Sequence, residues 1–414
     1  MPPIPLADVK AQYEPLLPRI REAIDGVVTS GNFILGPNVA AFEQETAAYL
    51  GVREAIGVAN GTDALVLVLD ALGVGPGNEE ICPAFTFYAT AEAIARRGAT
   101  PVFADVDVAT MNLDPEDVAA RITKRTKVIV AVHLFGRPAP SAELVSLGVP
   151  LIEDAAQAFG SPEVARTGVA STFSFYPSKN LFAFGDGGLV TADEPELAEL
   201  GPPLIEDAAQ AFGSPGIATT GIASTFSFYP TKNLFALGDG GLVAVQDEEV
   251  GERVRMLRFH GSRDKVDFEL VGYNSRLDEL QAAVLRVFLP RLNEWTRLRR
   301  EAAARYRELG LGELCEPPAD DAGHVYHLFV CRSPERDRIR AALQEAEIGT
   351  GAYYVTPLHL QPALRFLGCR PGSLSETERA ARENFSLPLW AGIDAATQER
   401  VVEVVREGSA VMTG

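Results

Sequence analysis

The sequence predicts an α/β fold, with a large, mostly parallel sheet domain followed by a smaller C-terminal α+β domain. Apolar runs alternate with helical patterns between residues 54 and 134, and the runs are continuously apolar. Such strands, connected by helices, are typical of parallel sheets that are covered on both faces. A long charged helical stretch at 277–309, followed by short strand candidates, indicates the second domain. We therefore predict domains at residues 1–257 and 258–414.

The elements of the first domain are predicted in strand–helix pairs. Asn60 and Asp114 are the expected N-caps of two helices, and Pro115 suits the first position of the second one. Strands are predicted at 54–60, 80–83, 101–106 and 128–134, and helices at 61–72, at 89–97 and from 115. In the second domain we predict a strand at 327–331 and helices at 337–345 and 395–406.

An internal repeat lies within the sheet domain. Pro150–Val190 aligns with Pro203–Val243 at an offset of 53, and 35 of the 41 aligned residues are identical. Two copies are too few for a solenoid, so we interpret the repeat as a tandem duplication of part of one domain.

Composition excludes several classes of function. The formal net charge is −19, from 37 Lys and Arg against 56 Asp and Glu, which argues against binding to nucleic acid or to anionic membranes. No apolar run approaches the roughly 18 residues that span a bilayer, and the N-terminus has no signal pattern. The four cysteines form no CxxC pair. We expect a cytoplasmic protein.

An acid and a lysine recur at corresponding positions of the two copies. Asp154 ends the apolar run LIED, and Lys179 follows 25 residues later, just past the next run; Asp207 and Lys232 are their equivalents. Open α/β sheets bind ligands at the carboxyl ends of their strands, and a lysine near an acid suits Schiff-base chemistry. For one such pair alone, a surface lysine and a helix-capping aspartate would be the simpler interpretation.

Two upstream segments add candidate ligand contacts. Gly61 and Thr62 open a helix directly after a strand, where backbone N–H groups and the helix dipole favour an anion. Aromatic residues follow another strand in the sequence PAFTF at 83–87, where one of them could stack on a flat ring. For Phe85 we expect core packing instead.

Together these segments resemble the pyridoxal-phosphate-dependent nucleotide-sugar aminotransferases of the DegT/StrS family. The resemblance spans nearly the whole chain, and the ordered set of motifs is far more specific than any one of them. The motifs are GNFILG at 31–36, NGTDAL at 60–65, PAFTF, EDAAQ, FSFYPSKN or FSFYPTKN, GDGG, FHG at 259–261, GYNSRLDELQ at 272–281, PLHLQP at 357–362 and SLP at 386–388. Two copies of the central motifs depart from the family pattern.

The resemblance implies the fold type I architecture of pyridoxal-phosphate-dependent transferases, with pyridoxal 5′-phosphate as the cofactor. Lys179 or Lys232 would bind it covalently, and Asp154 or Asp207 would pair with its pyridine nitrogen. The other implied contacts are Gln157 or Gln210 with the ring hydroxyl, Phe87 stacked on the ring, and Gly61, Thr62 and Ser174 or Ser227 around the phosphate. No metal site is implied.

Three further implications concern the partner subunit and the substrate. Asn274 would reach the phosphate of the neighbouring subunit, which implies a homodimer. His359 would lie near the sugar, although an ordinary loop histidine is the alternative. Arg258, Arg263 and Arg276 could supply positive charge for a nucleotide diphosphate, or they could be solvated surface arginines.

The implied reaction transfers an amino group from an amino acid, expected to be L-glutamate, to a keto-sugar linked to a nucleotide diphosphate. Sugar dehydration and aromatic amino acid synthesis are alternatives on the same scaffold, but dehydrating relatives replace the lysine by histidine. The EDAAQ form, with Gln after the alanines, resembles relatives that act on 3-keto sugars. An inactive interaction or assembly protein is the alternative of another class.

The sheet needs only one of the two copies. Continuity favours the second copy, because its glycine turn leads directly into 247–260 and on to Asn274. The other copy would then be a surface insertion, whose closure entropy grows only with the logarithm of its length.

Overall fold

The computed structural model describes residues 2–50, 54–149, 151–158, 161, 170–174, 181–182, 186–191, 205–207, 223–227, 233–234, 239–245 and 248–409. Over these ranges the chain forms a large sheet flanked by helices and a smaller C-terminal unit of helices and two strands. This confirms the predicted α/β class. The boundary at 257/258 stays a prediction.

The helices in the described residues are α1 (Val9–Tyr13), α2 (Leu17–Ser30), α3 (Pro37–Leu50), α4 (Gly61–Ala71), α5 (Tyr88–Arg96), α6 (Pro115–Arg121), α7 (Ser141–Val145), α8 (Glu248–Arg258), α9 (Glu279–Phe288), α10 (Leu292–Glu308), α11 (Arg336–Glu345), α12 (Ser375–Glu383) and α13 (Ala395–Ser409). The strands are β1 (Glu54–Val58), β2 (Glu79–Pro83), β3 (Thr100–Ala104), β4 (Thr126–Val132), β5 (Leu151–Asp154), β6 (Ala170–Ser174), β7 (Leu181–Phe182), β8 (Asp186–Thr191), β9 (Ile205–Asp207), β10 (Ala223–Ser227), β11 (Asn233–Leu234), β12 (Asp239–Val245), β13 (Phe329–Arg332) and β14 (Asn384–Leu387).

The large sheet has the strand order β1-β8-β12-β10-β6-β5-β4-β2-β3, with β9 also paired to β4. Strands β3, β2, β4, β5 and β6 are parallel to one another, and β1 runs antiparallel to β8 and β12. Every residue of β2 and β5 is buried. The continuous apolar runs therefore mark strands covered on both faces, as predicted.

Two strands of the first copy, β5 and β8, share a partner and a register with their equivalents in the second copy, β9 and β12. Val132 of β4 pairs with Asp154 in β5 and also with Asp207 in β9. Val58 of β1 likewise pairs with Gly188 and with Gly241, which are again 53 residues apart. Because one backbone hydrogen-bonding edge serves one neighbouring strand at a time, the two copies are equivalent candidates for a single position in the sheet.

Local sequence signals set the helix ends near the sheet. Asn60 has an extended backbone, and its side chain accepts a hydrogen bond from the Asp63 N–H at 2.8 Å, so α4 begins at Gly61. Asp114 caps α6, with Pro115 in its first turn. The helical stretch predicted at 277–309 is divided into α9 and α10 by a 3₁₀ turn, Leu289–Arg291, that contains Pro290. A proline cannot donate the helical hydrogen bond, which explains the break.

Clusters of buried apolar side chains hold these elements together. Helix α4 is buried almost throughout, against β1, β2 and β4. Helices α2, α3 and α9 share a second cluster around Phe42 and Phe288. In the C-terminal unit, α10, α11 and α13 pack around Tyr306 and Phe329.

Candidate active site

The carboxyl ends of the parallel strands meet at one rim of the sheet, and Asp154 is the last residue of β5 there. Its side chain is buried, with 5% of the residue exposed. One carboxylate oxygen accepts a hydrogen bond from the Ala156 N–H at 3.0 Å, and the other accepts from the Thr90 hydroxyl at 3.1 Å. These donors stabilise the charged form and fix the plane of the carboxylate.

Gln157 follows Asp154 by one turn and is also buried. Its amide oxygen accepts from the Phe135 N–H at 2.5 Å, and its amide nitrogen donates to the Tyr354 hydroxyl at 3.0 Å. These two contacts determine the orientation of the amide, and they leave its nitrogen a second hydrogen to donate. Burial raises the pKa of Tyr354 well above its ordinary value, so the phenol keeps its proton.

The backbone around Gln157 is unusual. Phe135 and Tyr354 both have left-handed conformations, with φ of 57° and 52°. Gly136 has φ of 91°, and a Cβ atom on it would lie 2.7 Å from the Gln157 carbonyl oxygen. Left-handed non-glycine residues cost of order 1–3 kcal/mol and persist where surrounding contacts fix them, which is common at functional sites.

The first turn of α4 follows the carboxyl end of β1, at the same rim of the sheet. Gly61 is buried, Thr62 is half-buried, and first-turn N–H groups have no acceptor within their own helix. Next to this turn, the Ser275 hydroxyl accepts a hydrogen bond from the Ala59 N–H at 3.1 Å. Burial raises the pKa of Asp63, and its hydrogen bond with Ser275 opposes that shift. A helix N-terminus of this kind binds phosphate.

Two phenylalanines near the end of β2 have different environments. Phe85 is fully buried, with its ring centroid 5.5 Å from that of Tyr354 in an edge-on arrangement, as expected for core packing. Phe87 immediately precedes α5 and is 60% exposed. An exposed aromatic ring at this rim is available for stacking on a planar ligand.

The sequence model of the DegT/DnrJ/EryC1/StrS aminotransferase family matches residues 18–202 and 199–406. The two matches meet where the first copy ends and the second begins, as expected for a duplication within one family domain. The chain belongs to this aminotransferase family.

Individual relatives are similar to this chain over nearly its whole length. A dTDP-3-amino-3,4,6-trideoxy-alpha-D-glucose transaminase of Streptomyces venezuelae is 38% identical over 98% of this chain and 96% of its own. A protein of Geobacillus stearothermophilus named pleiotropic regulatory protein is 40% identical over 98% of both chains. The crystal structure of S. venezuelae DesV in complex with a ketimine intermediate superposes with a TM-score of 0.83 at 37% identity, covering 99% of this chain and 100% of that one.

This chain is therefore an aminotransferase, and pyridoxal 5′-phosphate is the cofactor of its family. The described residues fit that group. Asp154 supplies a buried carboxylate suited to a protonated ring nitrogen, Phe87 an exposed ring, and the first turn of α4 a phosphate site. When bound, pyridoxal phosphate supplies an electron sink for the carbon that loses a proton.

Several predicted residues lie in the repeat. Ser174 ends β6 and is half-buried. Asp207 and Ser227 end β9 and β10, and the structure describes their strand pairing but not their side chains. Lys179, Lys232 and Gln210 lie outside the described residues.

Asn274 is exposed, and its side-chain amide oxygen accepts a hydrogen bond from the Arg276 guanidinium. The turn that carries it depends on close backbone contact: a Cβ atom on Gly272 would lie 2.1 Å from the Gly261 nitrogen. The side chain of Asn274 is therefore presented at the surface by a tightly packed turn, as its predicted role toward a second subunit requires.

The residues that were predicted to contact the substrate form ion pairs or close contacts with acidic side chains of this chain. His359 is buried, with its Nε2 atom 3.3 Å from the Glu378 carboxylate, and burial lowers its pKa while Glu378 opposes that shift. Arg258 is committed to an internal ion pair with Glu43 at 2.7 Å, so it does not supply charge at the surface. Arg263 is exposed and paired with Glu252 at 3.1 Å.

Sequence reasoning missed Thr90, Phe135 and Tyr354. Thr90 follows Phe87 by three residues on α5, a helical spacing that could have placed it at the same rim. Tyr354 comes from a segment some 200 residues away from Gln157, and no local pattern relates them. Across the described residues, no cluster of metal-ligating side chains is present, and no helix is long and apolar enough to cross a membrane.

Proposed function

We propose that this aminotransferase transfers the amino group of L-glutamate to carbon 3 of a keto-sugar linked to a nucleoside diphosphate. The observation that carries the proposal is the 38% identity, over nearly the whole chain, to a transaminase whose product has its amino group at carbon 3. The glutamine of EDAAQ, Gln157, supports the same position on the sugar ring. Its amide is held by two hydrogen bonds in the site.

The roles of the residues follow from the resemblance to the family. Lys232 or Lys179 would carry the cofactor and move a proton between the substrate carbon and the cofactor. Asp154 or Asp207 would hold a proton on the ring nitrogen. Gln157 or Gln210 would donate to the ring hydroxyl, and for Gln157 this is the second amide hydrogen. Gly61, Thr62 and Ser174 or Ser227 would bind the phosphate.

We propose that His359 lies near the sugar. Its Nε2 atom faces Glu378, and its buried Nδ1 atom has no hydrogen-bond partner within the described part of the chain. A buried ring nitrogen without a partner is costly, and a hydroxyl of the substrate would supply the missing hydrogen bond.

The working unit would be a homodimer with shared sites, in the cytoplasm. Exposed Asn274 and several exposed large apolar residues support a subunit interface. These residues are Phe33, Ile34, Phe87, Val266, Phe268 and Val271. All four cysteines are free, as is usual in a reducing compartment.

The direct test is the reverse reaction. Purified protein with pyridoxal phosphate is incubated with 2-oxoglutarate and either a 3-amino or a 4-amino sugar linked to dTDP or UDP. We expect glutamate to form with a 3-amino sugar and the corresponding keto-sugar to appear by mass spectrometry. Reaction with the 4-amino sugars alone would overturn the carbon assignment. Absence of glutamate with either sugar would contradict the proposed transamination. Release of water when a nucleotide-linked keto-sugar is supplied, or an aromatic product when an aromatic precursor is supplied, would then favour one of the alternative reactions.

A further inference from the structure

The Thr90 hydroxyl is directed at the cofactor-facing carboxylate from a neighbouring helix. Thr90 is the third residue of α5, and its hydroxyl oxygen lies 3.1 Å from an oxygen of Asp154, 64 residues away along the chain. Thr90 is 1% exposed and Asp154 is 5% exposed. Water therefore does not compete freely for this hydrogen bond.

Packing does not require a hydroxyl at this position. The neighbours of Thr90 on α5 are small or apolar, and Ala89, Ala91 and Ala93 are all buried. Valine has nearly the same shape as threonine and would fill the same space. Helical threonines commonly direct their hydroxyl back to a carbonyl of the preceding turn, whereas this one donates to a carboxylate on β5.

The same turn of α5 also positions the exposed aromatic ring. The Thr90 N–H donates to the Phe87 carbonyl at 3.4 Å. The first turn of α5 thus carries both the ring predicted to stack on the cofactor and the hydroxyl that fixes Asp154.

We propose that Thr90 is a positioning residue of the aminotransferase site, which orients the Asp154 carboxylate toward the ring nitrogen of pyridoxal phosphate. This inference rests on the proposed role of Asp154. The Ala156 N–H fixes one carboxylate oxygen, and Thr90 fixes the other. Without the hydroxyl, the carboxylate loses a donor that favours its charge and can rotate about its Cβ–Cγ bond.

The test compares Thr90→Val with Thr90→Ser. We expect the valine variant to bind pyridoxal phosphate about tenfold more weakly, since a hydrogen bond to a charged group contributes roughly that factor. With cofactor labelled by ¹⁵N in the ring, its nitrogen signal should move toward the unprotonated position. The serine variant, which restores the hydroxyl, should recover both values. Thermal unfolding of the three apoproteins shows whether folding is unchanged.

A double-mutant cycle identifies the carboxylate that the Thr90 hydroxyl contacts. The effect of Thr90→Val should disappear when Asp154→Asn and Asp207→Asn are combined, since neither copy then offers a carboxylate, and it should persist when Asp207→Asn is introduced alone. An undiminished effect in the combined background, or a serine variant as impaired as the valine variant, would show a role in packing only and overturn the proposal. So would loss of the effect in the Asp207→Asn background, or a valine variant that binds like the wild type. A wild-type protein that binds no pyridoxal phosphate would overturn the proposed function itself, and this inference with it.

Discussion

At the scale of single residues, Glu80 is a buried carboxyl on β2, the strand next to the edge strand β3 of the large sheet. It lies on β2 between Pro101 and Val128, it has no measurable exposure, and neither of its oxygens has a hydrogen-bond partner among the described residues. Burial raises its pKa to about 8, and the nearby charges of Lys127 and Arg97 oppose that shift. The buried thiol of Cys82 is its other titratable neighbour. At neutral pH the folded protein therefore holds Glu80 largely protonated.

This burial should make stability fall with rising pH. The folded pKa of Glu80 is about 8 and its ordinary value is 4.5, so between these values the unfolded chain has lost a proton that the folded chain retains. The free energy of unfolding then decreases by up to about 1.4 kcal/mol per pH unit within that window. We expect Glu80→Gln to raise the melting temperature relative to the wild type more at pH 8 than at pH 5.5. Glu143→Gln, at an exposed position, is the matched control. A difference between Glu80→Gln and the wild type that does not change with pH would contradict the prediction.

The sequence indicated those site residues that lie together in one motif, and it did not indicate the partners that orient them. Asp154 and Gln157 both lie in the short EDAAQ motif, so the sequence indicated both of them. Their orienting partners Thr90 and Tyr354 come from distant segments, 64 and 197 residues away, and are brought close only by the fold. A local motif has no means of indicating a hydrogen bond between such segments.

At the scale of elements, prediction succeeded where a local signal fixes an end. Asn60 and Asp114 begin helices as capping residues should, because each satisfies an N–H group of the first turn. The helical stretch predicted at 277–309 consists of two helices, because Pro290 interrupts an otherwise continuous helical pattern. The position of the duplicated strands was not predictable in this way. The copies are nearly identical, so no local preference separates them.

The shared register of the two copies leads to a test with the lysines. Since β5 and β9 meet the same residue of β4, and β8 and β12 meet the same residues of β1, either copy can supply the strands of the site. We expect Lys179→Ala and Lys232→Ala each to retain part of the wild-type activity, with fractions that sum to about one, and the double variant to have none. Borohydride reduction and peptide mapping of the wild type should then find label on both lysines. Full activity in one single variant and none in the other would show that one copy alone fills the sheet.

At the scale of the whole molecule, the proposed role of Asn274 would make the site depend on two subunits. The side chain sits on a turn held by the contact between Gly261 and Gly272, and it faces solvent in a single chain. The exposed apolar residues Val266, Phe268 and Val271 precede it on the same segment, which suits a surface that another protomer covers. A residue so placed would complete the partner's phosphate site, and its loss should weaken cofactor binding by about tenfold.

Mixed dimers test this arrangement directly. The Lys179→Ala/Lys232→Ala variant has no lysine to carry the cofactor, and the Asn274→Ala variant lacks the side chain predicted to act across the interface. If Asn274 acts on the partner subunit, a heterodimer of the two variants contains one site with a native lysine and a native asparagine. The other site lacks both. Differently tagged variants, co-expressed and purified through both tags, should therefore recover about half of the wild-type activity and one tightly held cofactor per dimer. If Asn274 acts within its own chain, neither site is complete, and the heterodimer will be no more active than the average of its two parents.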